Sequence, residues 1–562
     1  MHKRLRAVVI TAAVVAAAGG CASVPTEGSV HLGHALPAGA GLGTSELTHL
    51  IAPAPQVGMS PTSLVDGFLT ALADSDGNYA VARQFLKPGA SWRVDTGTTV
   101  YDNRTTMRTG PRAVQVVVNR AGTIDQSGAF RVASGTLRET FELARVGGQW
   151  RISRPPPGVL LSAADAQRTL QPVTVYFLNR AQTRLVPESL LVPPDQPGLA
   201  TTLVRDLAAG PDPMLASAVT TAFPSGTTLV GNVPVDGNGV ADVNLAGSIS
   251  QASPAELARL SAQVVWTLRQ VPSVSAVRLL VDGTPLSVAG AGPVQLVGAW
   301  PQFDPDAPPA ETGVLLVQGR HVVSLGGSAP GALRSSGLSA PARSADGSRV
   351  AALRVGGRRV RVLAGPASGP LRVRWSALSA TPPAFDPVGD VLVAGATRSG
   401  TQLVVITRRG VRPVILPRGF RHLPLTRVAV SPDGARLAFV AGPPGRQAVE
   451  VGALSTDSDR PAVAAVRTIV PAGQDAAGLA WAGSDSLVTT VRTDRHHRGI
   501  LEVGVDGYQP RFVSGAGLPA DPTDVAAAPG ERVVAEAQGG LWVQSSRGWQ
   551  RLSTGTDPSY AG

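Results

Sequence analysis

The last third of the chain repeats itself. "ARSADGSRVAALRV", "PAFDPVGDVLVAGA", "VAVSPDGARLAFVA", "LAWAGSDSLVTTVR" and "VAAAPGERVVAEAQ" share one shape: a strand, a tight turn, then a second strand of small and branched residues. Measured between the turn glycines Gly347, Gly389, Gly434, Gly483 and Gly530, the steps are 42, 45, 49 and 47 residues. A period of about 45 residues with about four strands is one β-propeller blade, and a blade buries its faces only against other blades. In Pro432-Asp433-Gly434 each residue has a separate task. Pro presets φ, Asp accepts a local hydrogen bond and Gly supplies a positive φ. "GVLLVQGRHVVSLG" at 313–326 reads as two strands without a first pair of their own, and the final "DPSYAG" reads as the start of another repeat. Both ends of region 311–562 are therefore expected to complete one ring, with six blades favoured over five or seven.

The N-terminus constrains location in the same way. A basic cap, Lys3, Arg4 and Arg6, precedes an apolar run from Ala7 to Ala18 broken by Thr11, then Gly19, Gly20 and the single cysteine, Cys21. A basic cap, a short apolar core and small residues make a secretory signal. About twelve apolar residues are too few for a bilayer span, which takes roughly twenty. Ala18-Gly19-Gly20-Cys21 resembles the bacterial lipobox, with Ala18 where Leu is commoner and Gly19 where Ala or Ser is commoner. The resemblance implies cleavage after residue 20 and a diacylglycerol on the Cys21 thiol, the palmitate-type anchor of a lipoprotein. An ordinary cleaved signal with a chance cysteine, and an uncleaved anchor, stay open.

Residues 21–58 are small and polar and read as a flexible tether. A first folded unit is expected over 59–165. Ser60-Pro61 is a helix start, and Leu64, Val65, Phe68, Leu69 and Leu72 share one helical face. A second short helix is expected from Tyr79 to Leu86. The period then changes to two at Val114, Val116 and Val118, and Gly147-Gly148 turns a closing hairpin. A second unit is expected over 172–293. It has a strand at Val173–Leu178, a helix carrying Leu199, Leu203, Val204 and Leu207 that stops at Gly210-Pro211, and a capping box Ser253-Pro254-Ala255-Glu256 opening a longer helix. Residues 294–310 are proline-rich and are expected to form a stiff, extended linker.

Removal of the signal leaves a net charge of about +8 from the chain's +11. Only Lys3 and Lys87 are lysine. There is no basic run and no aromatic-interleaved patch of the kind that holds single strands, so nucleic acid is not an expected partner, while weak attraction to anionic lipid is. With Cys21 lipidated, disulfides and thiol chemistry are excluded. No histidine lies between His49 and His321, so neither α+β unit can offer a histidine base or metal ligand. His496-His497 would point to opposite faces of a strand. Asp304, Asp306 and Glu311 lack the spacing of a calcium loop. Asp206, Asp212, Asp242 and Asp282 read as solvated or capping. No GxSxG, HExxH or phosphate loop is present. No catalytic residue, cofactor or metal is expected, and the chain is read as a non-enzyme.

Several stretches add resemblances. Two helices, an antiparallel sheet and "VGGQWRIS" resemble the cone-shaped α+β fold of the nuclear-transport-factor and ketosteroid-isomerase-like superfamily, which implies a packing or binding module, with a ligand pocket as the alternative. "LVRDLAAGPDP", "AFPSGTTL", "GVADVNL" and "VVWTLRQVPSVSAVRLLVDGTPL" resemble the GerMN domain. The repeats, which lack a Trp-Asp signature, resemble TolB-type propellers. In this order the units resemble the LpqB-type lipoproteins of actinobacteria. That resemblance implies a fold class of α+β and all-β domains in series. It also implies lipid anchoring on the outer face of the plasma membrane, and a partner in the extracytoplasmic part of an MtrB-type sensor histidine kinase. The output would be modulation of a two-component pathway affecting cell-wall homeostasis and division. A protein that binds cell-wall polymers such as peptidoglycan, and a propeller hydrolase or lyase, are the alternatives.

Overall fold

The computed structural model describes residues 53–194, 198–310, 313–456, 460–513 and 515–562. Three bodies of secondary structure follow one another along it.

The first begins where the sequence marks it. Ser60 accepts from the Ser63 amide at 3.1 Å and opens α1, Pro61–Ala71. Its apolar face (Leu64, Val65, Phe68, Leu69) is buried against a sheet. In α2, Asp76–Gln84, a kink of positive-φ residues at Gly77, Asn78 and Tyr79 precedes the right-handed turns, which begin beside the expected start. The sheet contains β1 Thr98–Gly110, β2 Ala113–Ile124, β3 Phe130–Val132, β4 Thr136–Val146, β5 Gln149–Arg154 and β6 Val159–Ser162, in the order β5-β4-β2-β1-β6, with β3 also on β2. Alternation on β2 buries Val114, Val116 and Val118, as a strand with one covered face must. Phe68 meets Trp92 edge-on at 5.3 Å and Phe141 at 5.9 Å. With Phe85 and Ile152 these rings fill the core of the first body.

α3, Ala163–Thr169, leads into the second body. Here β7 Gln171–Asn179, β8 Leu185–Val192 and β9 Val219–Thr220 form one sheet in the order β8-β7-β9. β10 Thr228–Leu229, β11 Val240–Ala246, β12 Ala276–Val281, β13 Thr284–Pro285 and β14 Val294–Leu296 form the other, in which β11 and β12 run parallel. α4, Leu199–Ala209, and α5, Pro254–Leu268, share the core between them. The capping box of α5 is complete: Ser253 N donates to Glu256 Oε2 at 2.7 Å and Glu256 N to Ser253 Oγ at 3.3 Å. Gln263, fully buried on α5, donates to Tyr176 O at 2.9 Å and accepts from Ala222 N at 2.6 Å. A buried amide is tolerated there because both of its ends are met.

The proline-rich stretch is not an extended spacer. Residues 294–296 are β14, paired with β12. Trp300 is buried, donates to Gln295 Oε1 at 2.7 Å and accepts from Trp266 Nε1 at 3.2 Å. Pro301–Phe303 is a 3-10 turn. Two tryptophans and a buried glutamine hold the chain more strongly than proline stiffness extends it.

The third body is a ring of six sheets. Blade 1 combines 314–318 and 321–325 with the strand 556–559, pairing Leu315 with Ser559 and Val317 with Thr556. Blades 2 to 6 follow in chain order from residue 339 to residue 554. Their innermost strands, in blade order, are 556–559, 339–343, 384–385, 425–430, 479–481 and 524–526, and neighbours touch all the way round. Of the five glycines that mark the repeats, Gly347, Gly389, Gly434 and Gly530 have positive φ and Gly483 does not.

Candidate functional site

Each innermost strand runs from one end of the ring, the entry end, to the Pro-Asp-Gly-type turns at the other, the turn end. These strands enclose a channel with about 1070 Å³ of free volume, counting the part open to solvent. Its wall is mostly small, with prolines 382, 383, 387, 432, 529 and 558, and three aromatic residues, Phe385, Trp481 and Tyr560. The indole of Trp481 is satisfied by Ala429 O at 3.0 Å and the phenol of Tyr560 by Arg532 O at 2.8 Å.

Charge in the channel is segregated by end. At the entry end Arg427 grips Asp524 with Nη2 to Oδ2 at 2.9 Å and Nε to Oδ1 at 3.4 Å. The Asp524 carboxylate, with Asp557 and Glu536 beyond it, outweighs the cost of burial and holds the Arg427 guanidinium above its ordinary pKa. Asp557 accepts from Ala340 N at 3.1 Å, and Glu536 accepts from Asp557 N at 2.8 Å. At the turn end Arg184, from the β7–β8 connection, reaches the channel. Its guanidinium makes no hydrogen bond or ion pair among the described residues.

The turn end is also where the second body docks. Asn179 Nδ2 donates to Asp433 O at 3.0 Å, and Arg436 Nη2 donates to Pro187 O. The chain between the bodies crosses the same end. Asp306 accepts from Ser484 N of blade 5 at 2.6 Å, and Ala310 N donates to Ala345 O of blade 2 at 2.9 Å. In a six-membered ring blades 2 and 5 stand opposite, so residues 306–310 form a strap across the diameter. Burial raises the Asp306 carboxyl to about 6.

A second polar centre lies where all three bodies meet. Phe130 and Ala129 from the first, Glu188 and Asp212 from the second, and Arg436, Arg467 and Asp506 from the third line one cavity. Arg131 bridges to Asp212 at 3.0 Å, Phe130 stacks edge-on to Tyr508 at 5.1 Å, and Leu191 N donates to Gly128 O at 2.8 Å. Glu188 accepts the Asp212 amide at 3.2 Å. Burial, and to a smaller degree the Asp212 carboxylate, push its carboxyl up to about 7, against the pull of Arg436 and Arg467.

Of the residues singled out from sequence, Asp212 lies in the junction and Asp306 in the strap, and the others fall elsewhere. Cys21 and the leader lie outside the described residues, as does Glu311. Asp212 bonds Met214 N at 2.6 Å, Asp242 pairs with Arg278 at 2.7 Å on the surface, Asp282 occupies a turn at φ 47°, and Asp206 is half-buried. His496 and His497 sit in an exposed loop, not on a strand, with His497 Nδ1 on Asp494 Oδ2 at 2.9 Å. Among the described residues no three His, Cys, Asp or Glu side chains converge on a metal-sized site, and no helix is long and apolar enough to cross a membrane. The Arg427–Asp524 pair, the strap and Glu188 are not visible in sequence. Their partners lie 97, 178 and 24 residues apart and carry no motif.

Known proteins share this plan. Residues 54–167 match the model for the lipoprotein LpqB N-terminal domain, 174–287 the model named Germane, sporulation and spore germination, and 317–561 the lipoprotein LpqB beta-propeller domain. Lipoprotein LpqB of Thermobifida fusca is 26% identical over 100% of this chain and 99% of its own, and that of Streptomyces coelicolor 27% identical over 97% and 95%. Lipoprotein LpqB of Cutibacterium acnes is 35% identical over 300 residues, 52% of this chain and about half of the relative's own length, 49%. Among solved structures, TolB from Acinetobacter baumannii covers 44% of this chain and 66% of its own at 15% identity, TM-score 0.36. The first GerMN domain of GerM from Bacillus subtilis covers 22% of this chain and 91% of its own at 22% identity, TM-score 0.19. With three domain models matched in succession and relatives aligned from end to end, the chain belongs to the LpqB family of lipoproteins.

Proposed function

We propose that this protein is a non-catalytic accessory held by a lipid on Cys21 at the extracytoplasmic face of the cell membrane, where it modulates an MtrB-type sensor kinase and through it cell-wall homeostasis and division. The observation that carries this reading is the docking of the three bodies into one compact unit among the described residues. Polar contacts join the bodies in pairs: Arg131 to Asp212, Asn179 to Asp433 and Arg436 to Pro187. That arrangement presents one composite surface to a protein partner, and anchoring in the same membrane plane raises the effective concentration of the pair. Arg131 with Asp212, Arg436 with Pro187 O and Asp306 with Ser484 N are engaged in contacts that serve docking. The test is capture of the full chain by a purified MtrB-type ectodomain. Binding is expected to survive single substitutions of polar propeller residues and to be lost on deletion of 313–562. No binding by the intact chain overturns the reading.

One observation favours the cell-wall alternative. Arg358, Arg359, Arg361, Arg372 and Arg409, on blades 2 and 3, are all exposed. Such a surface suits an anionic polymer. Co-sedimentation with purified peptidoglycan at moderate salt, insensitive to the kinase ectodomain, would support that reading over the first.

A further inference from the structure

We propose that the entry-end rim of propeller blades 1 to 3 is a membrane-contact surface that rests on anionic phospholipid headgroups. The proposal needs neither the lipid on Cys21 nor the kinase, and its test is read without either.

The first observation is where the charge sits. Residues 312–432 hold 17 arginines against three carboxylates, Asp346, Asp386 and Asp390, a net +14. The whole chain is +11, so the other 441 residues sum to −3. All three carboxylates lie in turns at the turn end and are engaged there. Asp346 accepts from Ser348 N at 3.0 Å, Asp386 from Val388 N at 3.1 Å and Asp390 from Arg349 Nη1 at 3.2 Å.

The second is that unpaired arginines gather on one rim. The hairpin between the second and third strands of each blade stands at the entry end. In blades 1, 2 and 3 these hairpins span 318–321, 356–359 and 397–400, and each holds an exposed arginine: Arg320, Arg358 and Arg398. Arg359 and Arg361, also exposed, extend the middle one, and exposed Arg421 sets its carbonyl against Gly400. Among the described residues none of these six side chains makes an ion pair or hydrogen bond. Arg354 stands directly opposite Arg361 across the strand pair. Like charges so placed destabilise a sheet in water, and an anionic surface relieves the repulsion. The other half of the same end carries Asp475, Asp494 and Asp521, so the charge belongs to this rim and not to the end as a whole.

The third observation selects a bilayer over a soluble polyanion. Val355, 71% exposed, adjoins the hairpin of Arg358. Leu378, 50% exposed, donates its amide to Ala396 O at 2.8 Å, at the foot of the hairpin of Arg398. Apolar side chains set among arginines gain nothing from a charged glycan in water. In a headgroup layer they meet acyl chains while the guanidiniums meet phosphates.

The rim is also open. Asn179 and Pro187 of the second body, the strap, and Phe130 of the first all meet the propeller at turns of the opposite end. Asp557 and Glu536 lie inward, at the channel, on the Ala340 N and Asp557 N bonds. The 32 steps of chain from Cys21 to Pro53 reach at most about 110 Å, so a lipid on Cys21 permits the contact.

The experiment is co-sedimentation with vesicles of phosphatidylcholine, alone or with about 30 mol% phosphatidylglycerol, at about 0.1 M salt. The protein is the chain 21–562 carrying Cys21→Ser, which has neither leader nor lipid. Binding is expected to the anionic vesicles only. Each arginine close to an anionic leaflet strengthens binding about fivefold. Arg358→Gln, Arg359→Gln and Arg361→Gln together are therefore expected to weaken it at least about thirtyfold. Arg138→Gln, Arg532→Gln and Arg547→Gln, an equal loss of charge away from the rim, are expected to change it less than about threefold. Val355→Ser with Leu378→Ser is expected to weaken it about fivefold. Circular dichroism melting confirms the fold of each variant. Equal binding or no binding to the two vesicles overturns the proposal, as does a folded rim variant that binds no more weakly than the control triple. An unaffected Val355→Ser, Leu378→Ser variant overturns it too, and assigns the rim to a soluble polyanion.

Discussion

Glu188 gives the clearest quantitative test of how the three bodies are held together. Its carboxyl is raised to about 7 from an ordinary 4.5, first by burial and then by Asp212. A carboxyl with a raised native pKa binds its proton more tightly folded than unfolded. Its contribution is therefore fully present below pH 4.5 and is lost as pH rises through 7. Between those limits the shift corresponds to about 3 kcal/mol, reduced to about 2 kcal/mol because the side chain is not wholly withdrawn from water. Glu188→Gln keeps an oxygen acceptor for the Asp212 amide and removes the ionisation. Relative to their difference well below pH 4.5, the variant is expected to gain about 0.5 kcal/mol on the parent by pH 5 and about 2 kcal/mol by pH 8. The assay is urea unfolding at pH 5, 6, 7 and 8. Taking the difference between the two proteins cancels the slope from other raised carboxyls such as Asp306 and Asp386, both near 6. Parallel stability curves, or a variant weaker at pH 8, would refute the reasoning.

Four other outcomes follow from the contacts. Arg436→Met removes the cation that faces the fully buried Asp433 and the bond to Pro187 O, and should cost about 3–5 kcal/mol in denaturant unfolding, with Asp433→Asn recovering part of it. Gln263→Leu leaves Tyr176 O and Ala222 N unpaired in the core and should cost about 2–4 kcal/mol by the same measurement. Cys21→Ser should move the protein from the membrane pellet to the soluble fraction and abolish lipid labelling; unchanged pelleting and labelling would contradict the anchor. Deletion of 556–562 removes the innermost strand of blade 1 and should abolish the cooperative thermal transition of the propeller.

What could be read from the sequence was what neighbouring residues decide. Ser60-Pro61 and the Ser253–Glu256 box marked real helix starts because caps act over one turn. The repeats gave six blades because period and turn chemistry are local. The left-handed kink at 77–79 that precedes the turns of α2 was not legible, because it carries no apolar signature. The stretch 294–310 reads as a spacer because proline content is local, while the seating of Trp300 depends on Trp266, 34 residues earlier, which sequence does not place beside it. The same reason hid the channel: Arg427 of blade 4 and Asp524 of blade 6 are 97 residues apart and meet only once the ring is formed.

The pairing of 314–318 with 556–559 also sets a timetable. Every other blade is built from a continuous stretch, so its strands can pair as soon as they are made, but the first must wait for almost the whole domain to be synthesised. Until the tail arrives, both rims of the gap expose unpaired backbone, a state that invites pairing with other chains.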